Sequence, residues 1–338
     1  MPLLPMSKRA LDHLGERLAA HGRVTEEDAE EFTRAIDAYQ EALLQVARYL
    51  NDLGYLASTR IKTTTVLIDK LRRESSRLSQ VQDLAGARVV VADRREQDEA
   101  VARIGAFFDQ RGGRPCRIKD RRANPSHGYR AVHVIVFVED VPVEIQVRTE
   151  LQDVWAQILE RLGDHWGRGI RYGLDPENPE ATIRTRGTLL TRRDTIRLLG
   201  KLSTAIDSLE TQRVTLVNIW QLFNHQTRST AEGLLAQLDR MERIEGRLLA
   251  DIPTPTPFKD VTAGIYRTLL EHDGSLSSHV SALSLEYLSD VRTSLIEIID
   301  LIARVLKNAQ ERADRLEAET RSALDLFAQA AEEMGVDP

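Results

Sequence analysis

Two runs decide how the chain is read: Gly128-Tyr129-Arg130-Ala131-Val132-His133 and Glu144-Ile145-Gln146-Val147-Arg148-Thr149. A glycine ahead of an aromatic and a basic residue leaves room for a nucleobase. The second run alternates an acid, an amide and a guanidinium with aliphatic residues. From Arg130 to Val138 and from Val141 to Thr149 the residues are mostly β-branched, and the break at Glu139, Asp140, Val141 and Pro142 reads as a hairpin turn. Two antiparallel strands are expected. Because a strand repeats every two residues, Glu144, Gln146 and Arg148 share one face while Val143, Ile145 and Val147 point into a core. The pair looks like a nucleotide site, and taken alone it also fits an antiparallel sheet with one solvated face.

Upstream, Asp83-Leu84-Ala85-Gly86-Ala87-Arg88 leads into Val89, Val90 and Val91, a strand with an acid at its start and an arginine at its mouth. Before it come Arg60, Ile61 and Lys62, then Thr63 to Thr65, and then Lys70, Arg72 and Arg73, whose spacing suggests the N-terminal region of a helix. Cations gathered near a helix start can hold a polyphosphate, which the helix dipole also favours. Basic residues on a helix are otherwise a solvated face.

In order and spacing these pieces resemble the synthetase domain of the RelA/SpoT family, the alarmone synthetases, over about Arg60 to Gly173. The matching residues are Arg60, Lys62 and Lys70; Asp83, Gly86 and Arg88; Lys119 and Asp120; Gly128, Tyr129 and His133; and Glu144, Gln146, Arg148 and Thr149. The resemblance implies an α+β fold, a mixed or antiparallel sheet flanked by helices in the nucleotidyltransferase manner, followed by a long all-α region. It implies an ATP-dependent pyrophosphokinase, a transferase moving the pyrophosphate of ATP to a ribose 3′-hydroxyl. By family default the acceptor is GDP or GTP and the product (p)ppGpp, the guanosine tetraphosphate alarmone of the stringent response. Asp83 and Glu144 match the catalytic carboxylates that hold Mg²⁺, with Glu144 also the base. Arg60 and Arg88 match the arginines that sandwich the donor adenine, and Lys62 and Lys70 the donor-phosphate contacts. Tyr129 matches the ring on which the acceptor base stacks. Lys119, His133, Gln146 and Arg148 fall near the acceptor or hold the site's shape.

Two positions depart from the family pattern. Val66 stands where a serine is usual, and the loop Arg121 to His127 has Arg121 after Asp120 and Ser126 after Pro125, in place of an aromatic and a phosphate-gripping lysine. Together with Gly128 to His133, that loss resembles the toxic small alarmone synthetases, some of which modify the 3′ end of tRNA to block translation and are held in check by an antitoxin. A tRNA acceptor would be bound electrostatically outside the pocket, for which Arg111, Arg114, Arg117, Arg121 and Arg122 are the candidates. A third reading is a catalytically dead nucleotide- or RNA-binding module on a helical scaffold. Two facing carboxylates, Asp83 and Glu144, argue against it.

With 338 residues and a net charge of −6, the chain has room for two or three units and is no general nucleic-acid coat protein. The single Cys116 excludes an intramolecular disulfide and a cysteine-based zinc site and fits a reducing compartment. No apolar run has the length of a signal peptide or a membrane span, so the expected location is the cytoplasm, away from membranes. Three segments are expected: an N-terminal helical segment, 1–58; the synthetase domain, 59–175; and a C-terminal bundle or coiled coil, 176–338. In the first, Thr25 caps a helix whose stripe is Phe32, Ile36, Tyr39, Leu43, Val46 and Leu50. This segment is short for the hydrolase domain of long family members and has no His-Asp pair, so no alarmone hydrolysis is expected. In the third, one stripe runs through Leu202, Ile206, Leu209, Leu216, Trp220 and Phe223 and continues through Leu234, Leu238, Met241 and Leu248. After a break at Pro253, Pro255 and Pro257, a last helix carries Val291, Leu295, Ile298, Ile302, Val305, Ala309 and Leu316, a packing seam fit for a homo-oligomer.

Overall fold

The computed structural model describes residues 4–20, 24–74, 77–111, 113–185, 188–229, 232–237, 239–240 and 285–333. The expected packing positions Leu238, Met241 and Leu248 and the break from Pro253 to Pro257 lie outside these residues. Two compact units are present, Met1–Thr211 with Glu317–Pro338 and Gln212–Leu316.

In the first unit, helices α1 (Lys8–Ala19) and α2 (Glu26–Asp52) start where side chains can take up the free N–H groups. Ser7 accepts from Ala10 N and Thr25 from Asp28 N, and Glu26, Glu27 and Asp28 face the positive end of α2. Arg17 joins the two helices through 2.6 Å bonds to Asp28 and Glu31. The stripe read in α2 is buried at Phe32, Tyr39, Leu43, Val46 and Leu50.

Five strands form a mixed sheet in the order β1-β2-β5-β4-β3: β1 (Ala57–Ile61), β2 (Ala85–Val91), β3 (Arg117–Asp120), β4 (Val132–Val138) and β5 (Val141–Thr149). The β2–β5 pairing is parallel and the others are antiparallel. Helices α3 (Thr64–Glu74) and α4 (Arg94–Gln110) intervene along the chain. One face of the sheet, with Ala87, Val89, Val134, Val136, Ile145 and Val147, packs on α2 and α4 through Leu43, Val46, Leu50, Ile104 and Phe108 in one continuous core. The N-terminal helices therefore share the core of the sheet, and the boundary expected after residue 58 is not a structural division.

The β4–β5 turn is tighter than the sequence indicates. Val138 pairs with Val141 and Phe137 with Pro142, leaving Glu139 and Asp140 as the turn, at φ 46° and 69°. Pro142 is tolerated because the ladder with β2 begins only at Glu144, so its missing N–H opens no gap there. Arg60 lies on β1, not in a helix, and helix α3 starts at Thr64. Arg88 lies within β2 rather than at its mouth.

Strand β5 runs directly into α5 (Glu150–Trp166), whose N-cap is Thr149 in a capping box with Gln152. The apolar stripe of α5, with Trp155, Leu159, Leu162 and Trp166, forms a second core with Leu199, Ile206 and Leu209 of α6 (Arg192–Leu222). Leu324 and Ala331 of the last helix, α7 (Leu285–Glu333), complete it. The first unit therefore continues past the expected boundary at 175. A hairpin, β6 (Thr182–Thr185) with β7 (Thr188–Thr191), precedes α6 where only helix was expected; each strand begins and ends on the β-branched threonine. No described helix is long and apolar enough to cross a membrane.

Candidate active site

The second face of the sheet carries the polar residues in register. Arg60 pairs with Gly86 and Ser58 with Arg88; Gly86 pairs with Glu144 and Arg88 with Gln146; Gln146 pairs with His133, and His133 with Lys119. Paired residues share a face, so five strands deliver their functional side chains to one side. Above that face lies a cleft of about 430 Å³, lined by Arg60, Lys70, Asp83, Lys119, Arg121, Tyr129, His133, Glu144, Gln146 and Arg148. A larger groove, about 740 Å³, lies within the second unit beside Leu216, Trp220 and Leu306. It is mostly apolar and has no comparable set of convergent titratable groups, so the smaller polar cleft is the candidate site.

Glu144 is buried, and both of its oxygens are held. His133 Nδ1 lies 3.0 Å from Oε1 and Gln146 Nε2 donates to Oε2 at 3.0 Å. Burial pushes this carboxyl up, but the bonds from His133 and Gln146 outweigh it and hold it below the usual carboxylate range. With Nδ1 donating, His133 Nε2 accepts from the Tyr129 hydroxyl at 3.1 Å. Arg148 closes the circuit, donating to Gln146 Oε1 at 2.7 Å, to the Tyr129 oxygen at 3.1 Å and to Asp153 at 2.9 Å.

Asp83 precedes β2 and accepts from Lys62 and, at 2.8 Å, from Lys70. Burial works to raise its carboxyl, yet the two ammonium groups hold it down at about 2. Asp83 and Glu144 repel each other across the cleft. Among the described residues no group of three or more His, Cys, Asp or Glu could hold a metal by itself. Two hard carboxylates facing one cleft suit an ion that takes its other ligands from phosphate and water, as Mg²⁺ does. Each carboxylate oxygen keeps a further lone pair for it.

Arg60 and Arg88 flank a slot of about 90 Å³ beside the main cleft, and Arg88 is anchored to Asp153 at 3.0 Å and to Ser58 at 3.2 Å. A third cavity, about 490 Å³, holds Lys62 and Lys70 with Arg168 and Arg171. Lys119 donates to Gln82 at 2.8 Å. The Tyr129 ring is half-buried at the wall of the cleft, with the Arg148 guanidinium 5.1 Å from its centroid.

The expected arginine track is not gathered at the cleft. Arg121 lines it, but Arg122 turns away to Asp98 at 2.6 Å and Asp120 at 2.7 Å, where its charge is matched. Arg111 lies over Tyr49 and Phe107, and Arg114 over Phe137. Arg130 is buried against Asp207 at 3.3 Å. Gln82 and Glu160, which line the cleft, escaped the sequence reading, as did Asp153, which anchors Arg88 and Arg148 beside it. Glu160 and Asp153 were legible as polar positions recurring at helical spacing along α5.

Residues 59–162 match the family model described as the region found in RelA / SpoT proteins. Within these residues the chain is thus similar to RelA and SpoT proteins. An uncharacterized protein of Mycobacterium tuberculosis is 40% identical over 129 residues, 38% of this chain and 46% of that protein. The bifunctional (p)ppGpp synthase/hydrolase SpoT of Escherichia coli is 29% identical over 131 residues, 38% of this chain and 18% of that one. The chain thus matches about half the length of its mycobacterial relatives and less of SpoT. Among solved structures, small alarmone synthetase 1 from Bacillus subtilis aligns at 20% identity and a TM-score of 0.42, over 57% of this chain and 98% of that one.

Gly128 makes the placement of Tyr129 possible. At φ 88°, a Cβ on it would sit 2.8 Å from Trp155 Cζ2. Gly128→Ala is expected to cost about 1–3 kcal/mol in denaturant unfolding. An unchanged midpoint would show that the loop is not held against Trp155.

Proposed function

We propose that this chain is an ATP-dependent pyrophosphokinase that transfers the pyrophosphate of ATP to the 3′-hydroxyl of a guanosine nucleotide, giving (p)ppGpp. The observation that carries the reading is the convergence of two carboxylates held ionised, Glu144 and Asp83, with Lys62, Lys70 and the Arg60–Arg88 slot on one sheet face. Arg60 and Arg88 would hold the donor base by their planar faces. Lys62 and Lys70 neutralise Asp83 in this arrangement and are placed for a triphosphate to draw them off. Asp83 and Glu144 would hold Mg²⁺, which when bound offsets the charge of the phosphate oxygens. Glu144, steadied by His133 and Gln146, takes the proton of the attacking hydroxyl. Tyr129, Lys119 and Arg121 face the acceptor side of the cleft.

A second reading, pyrophosphorylation of a tRNA 3′ end with control by an antitoxin, draws on one feature: Ser126 after Pro125 leaves a free nucleotide without the lysine grip. The pairing of Arg122 with Asp98 and Asp120 takes one of the five arginines out of the surface such an RNA would use. We further propose that copies associate through α7, where Ile298, Leu301 and Val305 are 52%, 55% and 57% exposed.

Incubation with labelled ATP, Mg²⁺ and either GDP, GTP or tRNA tests the assignment. Transfer to tRNA alone would refute the guanosine-nucleotide reading. Glu144→Gln is expected to lower the rate by about 10²-fold or more in a folded protein, since it removes the base at constant size. Activity within a few fold of the parent would overturn that role. Arg121→Glu should raise the KM for GDP roughly 10-fold or more with the KM for ATP unchanged, because a charged contact to phosphate is lost. Equal changes in both would place Arg121 elsewhere. For the oligomer, Ile298→Glu with Val305→Glu should lower the mass seen by light scattering, and an unaltered mass would exclude this face.

A further inference from the structure

Helix α5 carries a polar stripe, Asp153, Gln157, Glu160 and Asp164, at steps of four, three and four residues, and brings Glu160 to the cleft. Three of the four are committed within the protein. Asp153 takes Arg88 and Arg148, Gln157 Nε2 donates to Asp153 at 2.6 Å, and Asp164 takes Arg171 at 2.8 Å. Glu160 differs. Its backbone carbonyl receives Arg171, but its carboxylate has no hydrogen bond or ion pair among the described residues.

This carboxylate is half-buried and lines all three cavities, the 430 Å³ cleft, the 90 Å³ slot and the 490 Å³ cavity. Arg60, Arg88, Arg148, Arg168 and Arg171 line those same spaces, and none of them closes on it. A carboxylate that faces these spaces with no protein donor is free to accept a hydrogen bond from a ligand that enters them. Within the slot the other side-chain amide, Gln146, is already spent: its oxygen accepts from Arg148 and its nitrogen donates to Glu144. Glu160 is thus the one carboxylate lining the slot, uncommitted beside the two flanking arginines.

We propose that Glu160 reads the base of the donor nucleotide, its carboxylate accepting a hydrogen bond from an exocyclic amino group on a base held between Arg60 and Arg88. A 6-amino purine presents an N–H donor there. A 6-oxo purine presents a carbonyl lone pair, which the carboxylate repels. The inference rests on the reading of the Arg60–Arg88 slot as the donor-base site, and it makes Glu160 the residue that selects ATP over other purine triphosphates.

Calorimetric titration of the full chain with ATP, inosine triphosphate and inorganic tripolyphosphate, each with Mg²⁺ and without acceptor, tests it. The parent should bind ATP roughly 10- to 100-fold more tightly than the inosine nucleotide, the range of a hydrogen bond to a charged group. Glu160→Gln can donate as well as accept, so the preference should collapse to within a few fold while tripolyphosphate affinity is unchanged. Glu160→Ala, checked for fold by circular dichroism, should lose the preference as well. A ratio retained in both variants, or equal changes for all three probes as a purely electrostatic role requires, would overturn the proposal. Equal binding of both purines by the parent would overturn it and leave the donor site standing. Failure of the parent to bind any of the triphosphates would overturn the donor-site reading itself.

Discussion

A buried charge must be compensated, and the candidate site is built around that requirement. Glu144 and Arg148 sit two strand steps from Gln146 on either side, both buried on the same face of a central strand. Neither could stay there ionised without partners. The circuit from Asp153 through Arg148, Gln146, Tyr129 and His133 to Glu144 supplies those partners at 2.7 to 3.3 Å. Because each member satisfies the next, loss of one leaves a neighbour with an unmet bond in a space of low dielectric. The Glu144 carboxylate is therefore oriented by the protein alone.

The same alternation ties the site to the stability of the domain. Every side chain that β5 sends to the cleft is separated by one that it sends into the core: Val143, Ile145 and Val147 are fully buried. A one-residue slip of β5 would drive Glu144 and Arg148 into an aliphatic core and empty the cleft. The parallel pairing with β2 and the antiparallel pairing with β4 hold this register from both sides, and the Thr149 cap converts the end of the strand into α5, which brings Glu160 to the cleft.

What could be read from the sequence follows from how local each signal is. The parity of Glu144, Gln146 and Arg148, the hairpin and the Thr25 cap are properties of neighbouring residues, and they appear in the structure as expected. The two-residue turn was obscured by Pro142, which usually marks a turn but here occupies a rung without a β2 partner. Arg60 was read as helical because the threonines after it do begin a helix. Its own strand is defined only by pairing with β2, some 26 residues away in register with Gly86. The commitment of Arg122 to Asp98 and Asp120 and the continuation of the first unit to Thr211 depend on tertiary contacts that no local pattern reports.

The cleft therefore contains two kinds of side chain. Glu144, His133, Gln146, Arg148, Asp83 and Lys62 are bound to one another, with their positions set by the protein alone. Arg60, Arg121 and Glu160 line the same space with no side-chain partner among the described residues. Groups fixed by mutual bonds are suited to the transfer step, where a small displacement is costly. Groups with unspent charge are suited to recognition, because they gain their first partner when a ligand enters. Two unpaired cations and one unpaired anion would suit a ligand with negative charge at one place and a hydrogen-bond donor at another, the chemistry of the amino-purine nucleotide proposed above.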